Sequence, residues 1–407
     1  MTEQDARIMP IDSNLLRVTV DLGAIQDNFR LLRSRGTGLI AVIKSDAYGH
    51  GLIPVAKALA ESGADCFAVG TVAEATRLRP EVRGTVFALL GPQSSEEARE
   101  AVQRDIVPVA ARHDQLTWLQ TAADATKRRA AVALKFDTGM ARLGFNHAEV
   151  DMVLETLAHC RDVEPRWLFS HLATADDPDQ AEFVREQATR YLIVQARLQS
   201  GLTTAGILPR CSLTNSAGLL AYPELAWDRQ RPGIALYGAN PFHGTELEYL
   251  GRDLRPAMRV QAPVLAVHPL AKGASISYGR TFVADRDKTV AVVAAGYADA
   301  YSRGLSNKGW MLLRGQRVKV LGRVCMQMTA VDVSHVPGVA PGDMAVLLGP
   351  DEGDAITPEE LSSWWGTIPY EVFCMLGMNP REYVASSEAS QGDLDHARSD
   401  TSPSAWG

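Results

Sequence analysis

Residues 39–51 read LIAVIKSDAYGHG. The stretch opens with an apolar run rich in β-branched side chains, a composition that predicts a buried β-strand. Lys44 follows that run directly, and the loop behind it contains Gly49 and Gly51. In a parallel α/β barrel the carboxyl ends of the strands form the active site. This stretch therefore predicts both a barrel strand and a lysine with a function.

The alternation of a short β-branched run with a longer amphipathic segment continues from residue 39 to about residue 240. Such alternation is typical of parallel βαβ units. Eight repeats favour an α/β fold closed into a (β/α)8 TIM-like barrel over the alternative, a doubly wound open sheet. The predicted strands are Leu39–Lys44, Cys66–Gly70, Thr85–Leu90, Ile106–Val109, Ala130–Phe136, Trp167–His171, Arg210–Thr214 and Gly233–Leu236. The predicted helices include Ile53–Glu61, Glu96–Gln103, Glu149–Ala158 and Asp179–Gln199.

The pattern changes after Pro241, where short strand-like runs separated by turn residues replace most of the helices. We therefore expect a barrel over residues 1–241 and a C-terminal, mostly β second domain over residues 242–385. The early run Leu16–Leu22 precedes the barrel strands and could join that second domain. Residues 386–407 are polar and lack apolar periodicity, which predicts a disordered tail. The predicted strands of the second domain include Thr289–Ala294, Arg317–Leu321, Thr329–Val333 and Met344–Leu348.

The composition narrows the classes of partner. Of 407 residues, 46% are hydrophobic, and the net charge of −7 offers no basic surface for nucleic acid. Five scattered cysteines without metal-ligand spacing predict reduced thiols and a cytoplasmic protein. No signal-peptide pattern and no apolar run of about 18 residues is present, so we expect neither export nor a membrane partner. A small-molecule partner remains.

A lysine at the end of a buried strand has a chemical meaning. Partial removal from water lowers the pKa of the amine, so that Lys44 can form a Schiff base with an aldehyde. A solvated surface lysine is the alternative for a strand-plus-lysine pattern taken alone. The residues that follow favour the first interpretation, because Tyr48 supplies a phenol and the two glycines allow close backbone approach.

Residues 41–51, AVIKSDAYGHG, resemble the pyridoxal-phosphate lysine signature of the alanine racemases, a family of the fold-type III class. This resemblance implies that Lys44 binds pyridoxal 5'-phosphate (PLP) and acts as the base on one face of the substrate α-carbon. It also implies that Tyr48 contacts the cofactor phosphate. The reaction it implies is the interconversion of L-alanine and D-alanine, which supplies D-alanine for peptidoglycan precursors.

A second matching motif lies at residues 135–145, KFDTGMARLGF, at the end of the fifth predicted strand. The resemblance implies that Lys135 is carbamylated and that the resulting negative charge holds Arg142 in place. Arg142 would then contact the phenolic oxygen of the cofactor and the substrate carboxylate. That use suits a planar guanidinium that is always charged. Solvated surface charges are the alternative for both residues.

Polar side chains also end the sixth and seventh predicted strands. His171 ends the sixth, and the resemblance implies that it lies beside the pyridine ring of the cofactor, with no proton transfer assigned to it. Asn215 and Ser216 follow the seventh, where a hydroxyl near a helix N-terminus can donate to a phosphate. We expect all three to contact the cofactor.

The motif at residues 231–238, RPGIALYG, bears on the type of reaction. In many PLP enzymes a carboxylate protonates the pyridine nitrogen and makes the ring a strong electron sink. Arg231 has no acceptor and keeps its proton, so it can only donate to an unprotonated nitrogen. This favours racemisation over transamination and argues against a decarboxylase of basic amino acids. By resemblance, Gly233 and Ile234 offer backbone N–H groups to the phosphate.

Inversion of a stereocentre requires proton removal on one face and delivery on the other, so a second acid–base group is needed beside Lys44. Residues 275–281, SISYGRT, resemble the racemase segment whose tyrosine has that role, which points to Tyr278. A buried strand tyrosine is the alternative. In the family this tyrosine belongs to the partner subunit, which implies a head-to-tail homodimer with shared active sites.

Three more residues lie in matching motifs, and the whole resemblance covers about residues 18–383. It implies that Tyr297 and Met326 line the substrate pocket, with the Met326 N–H on the substrate carboxylate, and that Tyr370 contacts the phosphate. Two positions depart from the family pattern. Gln327 stands where an aspartate is usual, and Ala300 where a glycine is common.

These departures leave other functions open. A racemase of serine or of a bulkier amino acid differs from an alanine racemase only in pocket size, and one methylene changes binding by about 1–3 kcal/mol. A PLP-binding protein without turnover is the remaining alternative, which the motif around Tyr278 disfavours. Neither alternative calls for a metal. We expect racemisation to be retained, and the loss of a carboxylate at Gln327 puts the rate and the substrate range at risk.

Overall fold

The computed structural model describes residues 15–36, 38–202, 206 and 208–385. Two units separate within the chain. Asp21–Ala257 make up the first, and residues 15–20 with Met258–Tyr383 make up the second. The second unit begins later than the predicted boundary at residue 242. The tail predicted at residues 386–407 lies outside the described residues.

The first unit is an α/β barrel whose strands run parallel. A short strand that leads into it, β1 (Arg17–Asp21), belongs mainly to the other unit. The barrel strands are β2 (Ala41–Val42), β3 (Cys66–Val69), β4 (Thr85–Ala88), β5 (Val107–Ala110), β6 (Ala130–Asp137), β7 (Phe145–Asn146), β8 (Val163–Phe169) and β9 (Arg210–Ser212). They are ordered β2-β3-β4-β5-β6-β8-β9, with β7 beside β6.

Helices follow nearly every strand and pack their apolar sides inward. The predicted amphipathic segments are all helical, because each presents apolar residues at a spacing of three to four. The α-helices of this unit are α1 (Leu22–Ser34), α2 (Lys44–Tyr48), α3 (Leu52–Glu61), α4 (Val72–Leu78), α5 (Ser95–Gln103), α6 (His113–Thr126), α7 (Val150–His159), α8 (Ala181–Leu202) and α9 (Ser216–Ala221). Of these, α2 is a distorted single turn rather than a regular helix.

The extended segment 229–232 closes the barrel between β9 and β2. On one side the Arg231 N–H donates to the Thr214 carbonyl at 3.0 Å. On the other, the Ile40 N–H donates to the Gln230 carbonyl at 2.8 Å. The prediction of a strand at Gly233–Leu236 is wrong, because Ile234–Tyr237 form a 3-10 helix. The extended segment 229–232, which is polar and precedes the predicted strand, occupies the eighth position of the barrel.

The second unit is mostly antiparallel β-sheet, as the sequence predicts. Its strands are β1, β10 (Met258–Leu270), β11 (Ser275–Ile276), β12 (Phe282–Val283), β13 (Lys288–Val293), β14 (Trp310–Leu313), β15 (Gln316–Leu321), β16 (Thr329–Asp332), β17 (Met344–Asp351), β18 (Asp354–Ile356) and β19 (Arg381–Val384). The nine-stranded sheet has the order β18-β17-β14-β15-β16-β13-β10-β1-β19. Because β10 also pairs with β17, six of these strands form a closed ring. Two helices, α10 (Pro358–Trp365) and α11 (Pro369–Leu376), complete the unit.

Candidate active site

The turn after β2 carries Lys44 and winds in the left-handed sense. Ser45, Asp46, Ala47 and Tyr48 have φ values of 54°, 54°, 55° and 52°. Residues with a Cβ avoid this conformation, because the Cβ crowds the following carbonyl oxygen at a cost of about 1–2 kcal/mol each. Strain of this kind persists only where the surroundings enforce it, and it concentrates at functional sites. The turn sets the position from which Lys44 leaves the strand.

One side chain outside this turn holds it. The Ser45 N–H donates to Glu74 Oε1 at 2.8 Å. The other carboxylate oxygen accepts from the Gly70 N–H at 2.7 Å. Glu74 lies in the first turn of α4, where it forms a capping box with Thr71. It therefore joins the loop after β3 to the turn that begins with Lys44.

A narrow cradle forms where Tyr48, Ser216 and Gly233 meet. The Gly233 N–H donates to Ser216 Oγ at 2.9 Å, and Ser216 is the first residue of α9. A Cβ added to Gly233 would lie 2.4 Å from Tyr48 Oη, so only glycine fits there beside the phenol. Ile234 begins the 3-10 helix that follows. Asn215 is the N-cap of α9 and accepts from the Gly218 N–H at 2.9 Å.

Arg231 is buried in the barrel with neutral partners. Its Nη1 donates to Ser212 Oγ at 2.6 Å, and its Nη2 donates to the Ser170 carbonyl. Its guanidinium carbon lies 4.7 Å from the centre of the Phe169 ring. In the described part of the chain no carboxylate forms a salt bridge with it. Burial lowers the pKa of Arg231 to about 10, so the side chain stays charged at neutral pH.

His171 contacts that guanidinium, and the contact settles its protonation. Arg231 Nη2 lies 3.3 Å from His171 Nδ1. Because a guanidinium only donates, Nδ1 must accept, and the proton of the neutral ring lies on Nε2. Removal from solvent and the charge of Arg231 lower the pKa of His171 well below its ordinary value. His171 is therefore a neutral donor through Nε2 rather than a charged acid.

Lys135 lies near several other cations. Burial lowers its pKa to about 8, and the charges of Arg231, Arg142 and Lys44 act in the same direction. Asp137 acts in the opposite direction, and its carboxylate accepts from the Arg142 backbone N–H at 3.2 Å. Lys135, Arg142 and His171 line a common narrow cleft. The barrel thus brings the predicted residues of this unit to one end.

The predicted tyrosine of the second unit lies on a strained turn. Ser277, which precedes Tyr278, has φ 65° and ψ 179°, a conformation almost confined to glycine. Its hydroxyl donates to the Arg323 carbonyl. Tyr278 is 69% exposed, so it is not the buried strand tyrosine that was the alternative to an acid–base role. The strain and the hydrogen bond together fix where the phenol leaves the backbone.

Two neighbouring loops of the second unit carry Tyr297 and Met326. The Tyr297 N–H donates to the Cys325 carbonyl at 3.1 Å, and the Ala298 N–H donates to the Met326 carbonyl at 2.9 Å. With the Ser277 contact to Arg323, these bonds hold three loops side by side. The Met326 side chain is 57% exposed.

Tyr370 belongs to a helix rather than to one of these three loops. It is the second residue of α11 and is 40% exposed. The far end of this helix connects to the Tyr297 loop, because Asn379 Nδ2 donates to the Asp299 carbonyl at 3.0 Å. The second unit therefore presents four large side chains that the sequence associates with substrate and cofactor.

Sequence reasoning missed the residues that hold the site rather than form it. Ser170 and Ser212 bond Arg231, yet neither lies in a pattern that distinguishes it from other strand serines. Glu74 carries a partial signal, since Thr71 followed three residues later by Glu74 predicts a capping box. The reach of that carboxylate to the turn after Lys44 is a tertiary contact, which no local pattern contains.

Comparison with protein-family models finds two matches in this chain. The family described as "Alanine racemase, N-terminal domain" matches residues 20–241. The family described as "Alanine racemase, C-terminal domain" matches residues 257–383. Together they account for both units of the structure.

Individual relatives agree with these matches. An alanine racemase from Nitratidesulfovibrio vulgaris (strain Miyazaki F) is 54% identical over 92% of this chain and 100% of its own length. An alanine racemase structure from D-cycloserine-producing Streptomyces lavendulae has a TM-score of 0.85 and 33% identity, covering 92% and 98% of the two chains. The alanine racemase structure from Bartonella henselae with covalently bound pyridoxal phosphate has a TM-score of 0.80 and 28% identity, covering 91% and 99%.

Proposed function

The chain belongs to the alanine racemase family, and from this premise we propose that it interconverts L- and D-alanine with Lys44 and Tyr278 as opposed acid–base groups. It is a PLP-dependent isomerase. The proposal rests above all on Lys44, which lies at the carboxyl end of a barrel strand on a strained turn. A lysine so held can carry an aldehyde cofactor and return to the same face of the substrate.

The barrel residues fit PLP. The cradle beside Gly233 excludes a Cβ and gathers the Tyr48 phenol, the Ser216 hydroxyl and backbone N–H groups, which are donors suited to a phosphate. Asn215 holds the start of α9 next to them. Tyr48, Ser216, Gly233 and Ile234 would hold the phosphate of bound PLP, and Tyr370 would add a further contact. PLP at Lys44 supplies an electron sink that stabilises negative charge at the substrate α-carbon.

Lys44 and Tyr278 share the proton transfers. Lys44 Nζ takes or delivers the α-proton on one face, and Tyr278 Oη does so on the other. After one inversion the abstracting group holds an extra proton and the delivering group has lost one. Proton exchange with solvent, or a turnover in the opposite direction, returns both groups to their starting state. The strained backbone at Ser45–Tyr48 and at Ser277 keeps both side chains in place, so little reorganisation is needed at each transfer.

Arg231 and His171 set how strongly the cofactor ring withdraws electrons from the substrate carbon. Arg231 donates to the cofactor nitrogen without giving up its proton, because even a pKa of about 10 leaves it charged. His171 receives one Arg231 N–H and keeps its own Nε2 proton. With PLP bound, a ring nitrogen that Arg231 leaves unprotonated would draw less negative charge away from the substrate carbon, which would favour racemisation over transamination.

Arg142 and Met326 bind the substrate carboxylate, the first through its guanidinium and the second through its backbone N–H, while Tyr297 lines the same pocket. Lys135 acts as a carbamate that holds Arg142. A lowered pKa of about 8 supports this, since the neutral amine is the form that adds carbon dioxide and releases a proton. The carbamate places a negative charge near Arg231, Arg142 and Lys44 and removes a positive charge that they repel.

The assembly we propose is a head-to-tail homodimer with shared sites. Tyr278 and Met326 are 69% and 57% exposed in the single chain. Large exposed apolar and aromatic side chains are typical of a surface that a partner covers. Here they lie on three loops that hydrogen bonds hold together. Each site would combine the barrel of one chain with the second unit of the other.

Circular dichroism of the amino acid substrate tests the activity directly, because inversion of the α-carbon removes the signal. Purified, PLP-loaded protein is incubated separately with L-alanine, L-serine and L-lysine, and the circular dichroism signal of each amino acid is followed. We expect decay with L-alanine, and none from a Lys44→Ala variant. Absence of decay with all three substrates, despite a visible absorbance that Lys44→Ala lacks, would contradict the racemase.

A further inference from the structure

We propose that Glu74 is a positioning residue for Lys44, acting by anchoring the left-handed turn that follows the lysine. This rests on the proposed function of Lys44. Glu74 touches neither the reacting atoms nor the cofactor in this scheme. It acts through the backbone of Ser45 and Asp46.

The contacts of Glu74 divide evenly between two loops. Oε1 accepts the Ser45 N–H at 2.8 Å and the Asp46 N–H at 3.5 Å. Oε2 accepts the Gly70 N–H at 2.7 Å and the Thr71 N–H at 3.2 Å. A single half-buried carboxylate therefore receives backbone donors from the loop after β3 and from the turn after β2.

The turn needs such an anchor because its backbone is unfavourable by itself. Four successive residues, Ser45–Tyr48, have positive φ, and none is glycine. Within the chain the turn is held by bonds such as those from the Gly49 N–H to the Ser45 carbonyl at 3.1 Å and from the Leu52 N–H to Asp46 Oδ1 at 2.8 Å. Glu74 adds, from a different helix, a charged acceptor for the first N–H groups of the turn.

Glycine at position 70 allows this arrangement. A Cβ on Gly70 would lie 2.9 Å from Glu74 Oε2 and 3.9 Å from the Cβ of Lys44. Gly70 therefore lies between the carboxylate and the base of the lysine side chain, and a larger residue there would crowd Glu74. Displacement of Glu74 would reach Lys44 through the backbone of Ser45, the next residue in the chain.

Helix capping alone does not account for Glu74, and the chain provides a matched comparison. Glu97 occupies the same first-turn position in α5, where its N–H donates to Ser94 Oγ at 3.2 Å and its Oε2 accepts the Gln93 N–H at 2.8 Å. Both glutamates are half-buried and cap a helix of the barrel. Glu97 bonds its own loop, whereas Glu74 also bonds the lysine turn.

The test compares Glu74→Ala with Glu97→Ala in the PLP-loaded enzyme. We expect Glu74→Ala to lower kcat about tenfold or more, because a shift on the order of 1 Å in a catalytic group can cost about 100-fold. The KM for alanine should change by less than about threefold, since the carboxylate-binding residues stay in place. Glu97→Ala should leave kcat within about twofold.

A readout independent of activity is backbone amide exchange at Ser45 and Asp46, measured with and without PLP. Glu74→Ala should speed exchange at these two amides at least about tenfold, and Glu97→Ala should not change it. Adding Ser45→Gly to Glu74→Ala should recover about fivefold in kcat, because glycine removes part of the left-handed cost. If Glu74→Ala does not fold, Glu74→Gln, which keeps one acceptor, takes its place with smaller effects in the same directions.

Equal losses in the two alanine variants would reduce Glu74 to a helix cap and overturn the inference. So would unchanged exchange at Ser45, or no recovery from Ser45→Gly. Failure of the proposed function looks different, because the unmodified protein would then not racemise alanine at all. The exchange comparison would still decide whether Glu74 anchors the turn.

Discussion

Lys135 is a residue whose charge the barrel disfavours, and this gives a pH dependence of stability. Its folded pKa of about 8 lies below the unfolded value of 10.5. Between these two values the unfolded chain binds more protons, so the free energy of unfolding rises with pH. We expect a rise on the order of 2 kcal/mol from pH 8 to pH 10 in carbon-dioxide-free buffer without PLP.

Urea denaturation at several pH values measures this rise. Lys135→Met is the matched control, because it keeps the length of the side chain and removes the titrating amine. The difference between the two proteins isolates Lys135 from other groups that titrate above pH 9. Parallel curves for both proteins would contradict the lowered pKa of Lys135.

Gln327 departs from the family pattern next to Met326, and we expect the departure to be tolerated. Its side chain is exposed in the single chain, and the contact that we propose with the substrate carboxylate comes from the Met326 backbone N–H, which a change of side chain at position 327 leaves in place. Gln327→Asp should therefore keep kcat/KM for L-alanine within about threefold. Gln327→Asn separates shape from charge. A change above tenfold in the aspartate variant alone would show that the missing carboxylate matters.

Ala300 departs from the pattern in a different way, because its backbone prefers glycine. It has φ 62° and ψ 14° at the end of the Tyr297 turn. Ala300→Gly should raise the free energy of unfolding by about 0.5 kcal/mol, as relief of the left-handed cost exceeds the entropy that glycine adds to the unfolded chain. Ala298→Gly in the same turn should instead lower it by about 0.5–1 kcal/mol. Thermal or urea unfolding that moves both variants downward would contradict this reading of Ala300.

At the scale of elements, the phosphate cradle depends on the gap between Tyr48 and Gly233. A Cβ at Gly233 would lie 2.4 Å from Tyr48 Oη. Gly233→Ala should therefore force the segment and the phenol apart and weaken PLP binding at least about tenfold. Equilibrium titration followed by visible absorbance measures this.

A double-mutant cycle tests the cause of that loss. In a Tyr48→Phe background the hydroxyl that meets the new methyl group is absent, so Gly233→Ala should weaken PLP binding less than in the unmodified protein. Equal losses in the two backgrounds would place the effect of the alanine elsewhere, for example in the bond from the Gly233 N–H to Ser216.

Most strands of the barrel can be predicted from runs of apolar residues in the sequence. The segment that closes the barrel cannot. Strands β3 and β4 begin where the sequence predicts, because buried parallel strands read as continuous apolar runs. Residues 229–232 contain Arg, Gln, Arg and Pro, so the pattern indicates a loop. Gln230 and Arg231 are nonetheless buried, at 0% and 5% exposure. Their position depends on partners in β9 and β2, which lie far away in the sequence.

The candidate site divides in the same way. Lys44, Tyr48 and Arg231 stand in long motifs, so their grouping could be predicted from resemblance. The left-handed turn after Lys44 could not, because each of its residues avoids that conformation on its own. Glu74, in the first turn of α4, accepts the Ser45 N–H from outside that turn. Local patterns identify the reacting groups, and tertiary contacts decide how they are held.

At the scale of the whole molecule, neither unit contains every residue that the proposed reaction needs. The barrel carries Lys44 and the cofactor cradle, and the second unit carries Tyr278. Among the described helices, none is long and apolar enough to cross a membrane. We propose that each active site combines the barrel of one chain with the second unit of its partner. Two variants that are each inactive should then restore activity when their chains form a mixed dimer.

Lys44→Ala and Tyr278→Phe are each expected to be inactive as purified homodimers. In a mixed dimer, the chain with Tyr278→Phe supplies an intact Lys44, and the chain with Lys44→Ala supplies its partner with an intact Tyr278. One of the two sites is then complete, while the other lacks both groups. Random reassociation makes about half of the dimers mixed, so the mixture should recover about one quarter of the unmodified activity. Recovery should require dissociation and reassociation of the chains, with remixing checked by differently tagged chains. Efficient mixing without recovery would show that Lys44 and Tyr278 of the same chain act together, and would contradict the shared sites.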